Sequence, residues 1–266
     1  MAEAVAEHGP LCVGIDPHPG LLASWGLPQD AAGLERFALT CVEAFAGRVA
    51  LVKPQAAFFE AHGSRGVAVL ERVIADLRGS GTLVLVDAKR GDIGSTMAAY
   101  AAAYLTEGSP LAGDAVTVSP FLGFGSLDPA REAAAASGRG LFVLALTSNP
   151  EGASVQRAVG ADGRSVAQSI VAAAARANAG AQPFGDVGLV VGATLHELGV
   201  DLSDLGGYVL APGFGAQGAT VADLRALFGP ELRGVLPTSS RDVLKHGPET
   251  AKLRSAVDVV RRSLEM

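Results

Sequence analysis

The sequence predicts an α/β protein folded as one (β/α)₈ barrel, a TIM barrel with residues 1–266 forming a single domain. Three observations predict it. Eight short apolar runs, each ending in glycine or polar residues, alternate with helical patterns, which calls for a parallel sheet. Eight such units favour a closed barrel over an open doubly wound sheet. The chain has 266 residues, 49% of them hydrophobic, and barrels of this kind often reach about 250 residues as one domain.

The predicted strands are Leu11–Ile15, Val49–Val52, Leu83–Val86, Ala115–Val118, Leu141–Leu146, Val187–Val191, Tyr208–Leu210 and Gly234–Leu236. Each is short and apolar throughout, the pattern of a strand buried on both faces. The helical patterns between them are Ala31–Ala46, Gly66–Arg78, Thr96–Leu105, Leu127–Ala136, Ser165–Ala179, a short one near Thr194–Leu198, Thr220–Leu227 and Glu249–Leu264. Alanine-rich stretches such as Ala133–Ala136 and Ala172–Ala175 are good helix formers and need no functional reading. No linker, low-complexity tract or repeat beyond the β/α unit interrupts the series.

Composition excludes several function classes. The net charge of −6 offers no electrostatic surface for nucleic acid, although a local anion site remains compatible with it. Two cysteines, Cys12 and Cys41, cannot make a disulfide scaffold, and both sit in apolar surroundings that suit buried free thiols. The opening residues MAEAVAEHGP lack a basic region followed by an apolar core, so no signal peptide is expected. No uncharged apolar run reaches about 18 residues, so no membrane span is expected. A cytoplasmic protein is the resulting expectation.

Chemistry concentrates in Thr82–Thr96, TLVLVDAKRGDIGST. The apolar strand ends in Asp87, Lys89, Arg90 and Asp92. Side chains alternate faces along a strand, so Asp87 and Lys89 are expected to point the same way. Gly91 and Gly94 allow a tight turn, and a helix is expected from Ser95 or Thr96, capped by those hydroxyls. Two carboxylates bracketing a lysine at the end of a buried strand are costly unless paired.

Barrel chemistry sits where strands end. Strand 1 ends with Asp16 and His18, strand 2 with Lys53 and Gln55, strand 4 with Ser119, and strand 5 with Thr147, Ser148 and Asn149. Strand 7 ends APGFGAQGAT and strand 8 ends PTSSRDV. Glycines 213, 215 and 218 let backbone N–H groups approach an anion. Arg241 can grip a phosphate through two parallel hydrogen bonds. These are the two loops where barrels often hold phosphate. The loop from Thr147 to Arg164 has little apolar content and reads as a lid or as surface disorder. His8, His62, His196 and His246 lie in polar segments and are expected on the surface. His18, near the mouth, has no clustered cysteine or histidine partner for a metal.

DAKRGDIGST, with GIDPHP and VKPQAAFFE before it and SNPEG, PGFGAQG and SSR after it, resembles the orotidine 5′-phosphate decarboxylases. The likeness is closest to the bacterial branch that carries KRGDIGST. It spans nearly the whole chain, with its motifs in order. Sugar-phosphate barrels of the wider superfamily share the D-x-K-x-x-D core, but those that bind Mg²⁺ typically place a carboxylate where this chain has Lys53. The resemblance implies a homodimer without cofactor or metal that converts orotidine 5′-phosphate to UMP and CO₂, the last step of de novo pyrimidine synthesis.

It also implies residue roles. Lys53, Asp87, Lys89 and Asp92 would form a charged array, with Lys89 delivering a proton to C6 of the pyrimidine and Asp87 near the substrate carboxylate. Asp92 and Thr96 would reach into the neighbouring subunit's site. Asp16 and Lys53 would contact the ribose hydroxyls, and Ser148 the pyrimidine edge. Gln217 and Arg241, with a backbone amide near Gly218, would hold the 5′-phosphate.

Overall fold

A computed structural model of the chain describes residues 1–265. Eight parallel strands follow one another around a closed barrel: β1 Cys12–Ile15, β2 Leu51–Pro54, β3 Leu83–Arg90, β4 Ala115–Val118, β5 Gly140–Leu146, β6 Val187–Val191, β7 Val209–Pro212 and β8 Val235–Ser239. Closure is made by β8 against β1, with Thr238 paired to Cys12 and Ser239 to Val13.

The strands are apolar on both faces because two cores share them. One set of alternating positions fills the barrel interior: Cys12, Leu51, Leu85, Ala115, Phe142, Val190, Leu210 and Leu236 are all buried there. The other set, including Val13, Val52, Val84, Val86, Val116 and Val143, packs outward against the helices. Strand periodicity then determines what stands above the interior layer. Two residues beyond Leu51 is Lys53, two beyond Leu85 is Asp87, and two beyond Ala115 is Thr117, all buried. The polar residues at the mouth therefore continue the same inward-facing rows that make the core.

Helices Ala31–Phe45, Gly63–Leu77, Gly94–Leu105, Asp128–Ser137, Val166–Ala177, Val221–Phe228 and Thr250–Glu265 form the outer ring, close to the sequence expectation. Asp30, Ser165 and Thr220 cap three of them through side-chain acceptors, and Thr220 forms a reciprocal capping box with Asp223. Short helices Ala2–His8, Pro19–Ser24, Ala56–Glu60 and Arg241–Leu244 add to the expected set. Ala2–His8 brings Ala4 against the interior cluster, with Met1 and Val5 packed around it.

Four expectations need correction. Thr194–Leu198 is not helical. Its apolar residues Leu195 and Leu198 pack on the core from an irregular connection, which turns at Gly199 (φ 62°) and Gly206 (φ 57°). The helix that follows β3 begins at Gly94, one or two residues early, and no side-chain cap forms at its start. The Thr147–Arg164 loop is not structureless: it carries turns at Pro150–Gly152 and Ala153–Gln156. Gln156 binds back to the backbone N–H and hydroxyl of Thr147 at 2.9 and 2.7 Å. Finally, His196 and His246 are exposed as expected, but His8 and His62 are half-buried.

Where the β6–β7 crossover lacks a helix, Asn178 supplies the missing order. This buried side chain donates to the carbonyls of Val187 (2.8 Å) and Leu205 (2.9 Å) and accepts from the Val187 N–H (3.1 Å). Asn178→Ala would leave those backbone groups unpaired in a dry site, and we expect a loss of about 3 kcal/mol, measured by urea unfolding. A loss under about 1 kcal/mol would contradict this role.

Candidate active site

The strand ends open into a cavity of about 1030 Å³. At its base lies the Asp87 carboxylate. Lys53 reaches it from β2, with Nζ 2.7 Å from Oδ2. Lys89, two residues along β3, brings Nζ to 2.5 Å from Oδ1. The predicted shared orientation of Asp87 and Lys89 is thus observed. Thr117 on β4 donates a third hydrogen bond to Oδ1, at 2.8 Å. Lys53 also donates to Gln55 Oε1 at 3.0 Å and stands 3.9 Å from Asp16 Oδ1. That Asp16 oxygen is buried and accepts no hydrogen bond among the described residues.

The electrostatics follow from this packing. Burial by itself would raise the Asp87 pKa, but the two ammonium groups and their hydrogen bonds outweigh it and hold the carboxyl well below the usual carboxylate range. Burial would likewise lower the Lys53 pKa, yet Asp16 and Asp87 carry it above the ordinary lysine value. Asp87 and Lys53 are therefore both charged across the physiological range. Just beneath it, Cys12 is a buried free thiol whose pKa burial pushes up to about 12. Cys41 is likewise a buried free thiol.

Local backbone shape delivers these groups. The β3–β4 register shifts between Val86 and Arg90, and Lys89 takes a left-handed conformation at φ 49°. The chain then passes tightly against β4 at Gly91, where a Cβ would collide with the Ser119 carbonyl oxygen. Arg90 fastens this corner. It pairs with Glu60, donates to the Tyr104 hydroxyl at 3.2 Å, and lies over the Tyr100 and Tyr104 rings.

The structure brings Asp16, Lys53, Asp87, Lys89, Ser148, Gln217 and Arg241 together on the walls of one cavity. Arg241 has no carboxylate partner among the described residues, whereas the nearby Lys245 pairs with Asp242 at 2.9 Å. Asp92, Thr96 and Gly218 do not line this cavity. Asp92 accepts from the Ile93 N–H at 2.8 Å, and Thr96 faces out from the first turn of its helix. The Gly218 N–H is taken by the Gly215 carbonyl at 2.7 Å. Among the described residues no group of three or more histidine, cysteine or carboxylate side chains is placed to hold a metal ion. None of the helices described is long and apolar enough to cross a membrane.

Sequence reasoning missed Thr117, a lone hydroxyl in an apolar strand. Alternation from Ala115 was the available signal, since it sets Thr117 on the inward row. His18, exposed at the rim, meets Phe58 in a tilted arrangement with ring centroids 4.2 Å apart.

The Asp87 pairing makes stability depend on pH. Its folded pKa lies below its unfolded value near 3.9, so its contribution is present above about pH 4 and is lost as pH falls toward the folded value. In Lys53→Met the buried carboxylate loses one cation, and protonation then relieves it. We expect a destabilisation of about 2 kcal/mol at pH 7, shrinking on acidification below about pH 4. Urea unfolding at pH 7 and pH 3 measures it; a pH-independent loss would contradict the pairing.

Comparison with known proteins identifies the family. Residues 9–256 match the model of the orotidine 5′-phosphate decarboxylase / HUMPS family. The orotidine 5′-phosphate decarboxylase of Salinispora arenicola is 66% identical over 260 residues, covering 98% of this chain and 94% of that protein. The enzyme of that name from Streptomyces coelicolor is 60% identical over 258 residues, covering 97% and 93%. A crystal structure from Streptomyces avermitilis, provisionally named orotidine 5′-phosphate decarboxylase, superposes with a TM-score of 0.96 at 59% identity, covering 99% of this chain and 93% of that one. The Leishmania donovani OMP decarboxylase gives a TM-score of 0.76 at 30% identity, covering 99% and 95%. The chain belongs to the orotidine 5′-phosphate decarboxylase family.

Proposed function

We propose that this chain decarboxylates orotidine 5′-phosphate to UMP and CO₂, the final step of de novo pyrimidine synthesis, using its own side chains and no cofactor. The observation that carries the proposal is the Asp87 carboxylate held between Lys53 and Lys89 at 2.7 and 2.5 Å inside a cavity that also holds Arg241 and Gln217. The names of relatives at 60 and 66% identity support it.

In this reading the bond from C6 to the carboxylate breaks, its electron pair stays on C6, and CO₂ leaves. That carbanion delocalises poorly into the ring, so a fixed ammonium beside it stabilises the developing charge. Lys89 fills that place and then transfers its proton to C6. Asp87 lies near the substrate carboxylate, a like-charge contact relieved when CO₂ departs. Lys53 and Asp16 take the ribose hydroxyls; the unpartnered Asp16 oxygen suits an incoming hydroxyl donor. Ser148 takes the pyrimidine edge. Gln217 and Arg241 hold the phosphate with a backbone amide near Gly218, which requires the 215–218 turn to release its internal bond. Closure of the Thr147–Arg164 loop over this remote end would couple phosphate binding to rate.

The working unit is a homodimer. Asp92 and Thr96 lie off their own cavity, and the exposed apolar residues Ile93, Phe121 and Leu122 lie just past the ends of β3 and β4. Such a surface suits burial against a second copy, with Asp92 and Thr96 completing the partner's site.

Lys89→Ala is expected to lower kcat at least about 10³-fold while UMP binding, followed by calorimetry, persists. Mixing inactive Lys89→Ala and Asp92→Ala subunits restores part of the activity, since one hybrid site regains both groups. Undiminished turnover by Lys89→Ala, or no recovery in proven heterodimers, would count against these assignments.

A further inference from the structure

Thr117 contributes a buried hydroxyl that none of the roles above uses. Its Oγ1 donates to Asp87 Oδ1 at 2.8 Å and accepts from the Lys89 backbone N–H at 2.9 Å. Chemistry leaves no choice of direction: an ionised carboxylate only accepts and an N–H only donates, so the single hydroxyl proton must point at Asp87.

The second of these bonds forms where the sheet is irregular. Between Val86 and Arg90 the β3–β4 register slips, and within that slip the Lys89 N–H donates to the Thr117 side chain. At the same residue the backbone is left-handed, φ 49°, a conformation costly for a residue with a side chain. Such a conformation persists only where its surroundings fix it. One hydroxyl thus touches both the carboxylate and the backbone from which the lysine projects.

We propose that Thr117 is a positioning residue: its hydroxyl holds Lys89 in the left-handed conformation and fixes the Asp87 carboxylate, so that the ammonium stands at one defined point of the cavity. This rests on the reading of Lys89 as the proton donor. Thr117 itself acts through its neighbours, and a small displacement of the donor is enough to slow proton delivery.

The test compares Thr117→Val, which keeps the shape and removes the hydroxyl, with Thr117→Ser, which keeps the hydroxyl. For the valine variant kcat is expected to fall about 10- to 100-fold, with KM within about threefold of the parent and the thermal midpoint lowered, since Asp87 and the Lys89 N–H each lose a partner. The serine variant restores kcat to within about threefold of the parent. In crystals of Thr117→Val with UMP, Lys89 Nζ leaves Asp87 Oδ1. Unchanged kcat with Lys89 in place overturns the proposal, as does a fall in kcat that serine does not rescue or that is matched by an equal rise in KM. Should the valine variant not fold, Thr117→Ala is judged by the same criteria. Failure of the unmodified protein to turn over orotidine 5′-phosphate would remove the decarboxylase reading alone; the position of Lys89 in the crystals would still decide the role of Thr117.

Discussion

One buried carboxylate organises the open end of this barrel. Taking a carboxylate out of water costs several kcal/mol even after the protein relaxes. Asp87 is 6% exposed, and its two oxygens are met by two ammonium groups and one hydroxyl at 2.5–2.8 Å. Attraction to the lysines outweighs the cost of burial. A buried ion pair of this kind is a poor device for stability alone, since apolar side chains of similar size often do as well or better. Its value is a charged array held rigid before substrate arrives, which is what stabilisation of a developing charge requires.

The array can be built because the barrel repeats one geometric rule. Rows of inward-facing positions run Cys12, Gly14, Asp16; Leu51, Lys53, Gln55; Leu85, Asp87, Lys89; and Ala115, Thr117. Each row starts near the core and ends as chemistry. The same alternation makes much of the site legible in the amino-acid sequence. Asp16, Lys53, Asp87 and Lys89 can be placed at one end of the molecule because apolar runs of fixed parity precede them. Arg241 and Gln217 can be placed beside them because β7 and β8 end there. Eight alternating units likewise point to closure, which pairing of β8 with β1 confirms.

What escapes the sequence lies where local pattern and tertiary context diverge. Thr194–Leu198 carries helix-compatible residues, but its leucines are drawn to the core and the chain turns at Gly199 and Gly206, so Asn178 rather than a helix orders the crossover. The β3–β4 register slip and the left-handed Lys89 have no signature in a short apolar strand; they arise from the match of two strands and the close pass at Gly91. Thr117 is hidden for the same reason, since a hydroxyl in a strand acquires meaning only from what faces it. The Gly218 N–H closes a local turn onto the Gly215 carbonyl.

The central claim is that this charged array removes CO₂ from orotidine 5′-phosphate without help from a metal. The most direct measurement is the loss of absorbance of orotidine 5′-phosphate in the presence of purified protein and excess EDTA. The account predicts prompt and complete conversion to UMP. Absence of conversion, or conversion only when a divalent cation is restored, would contradict it.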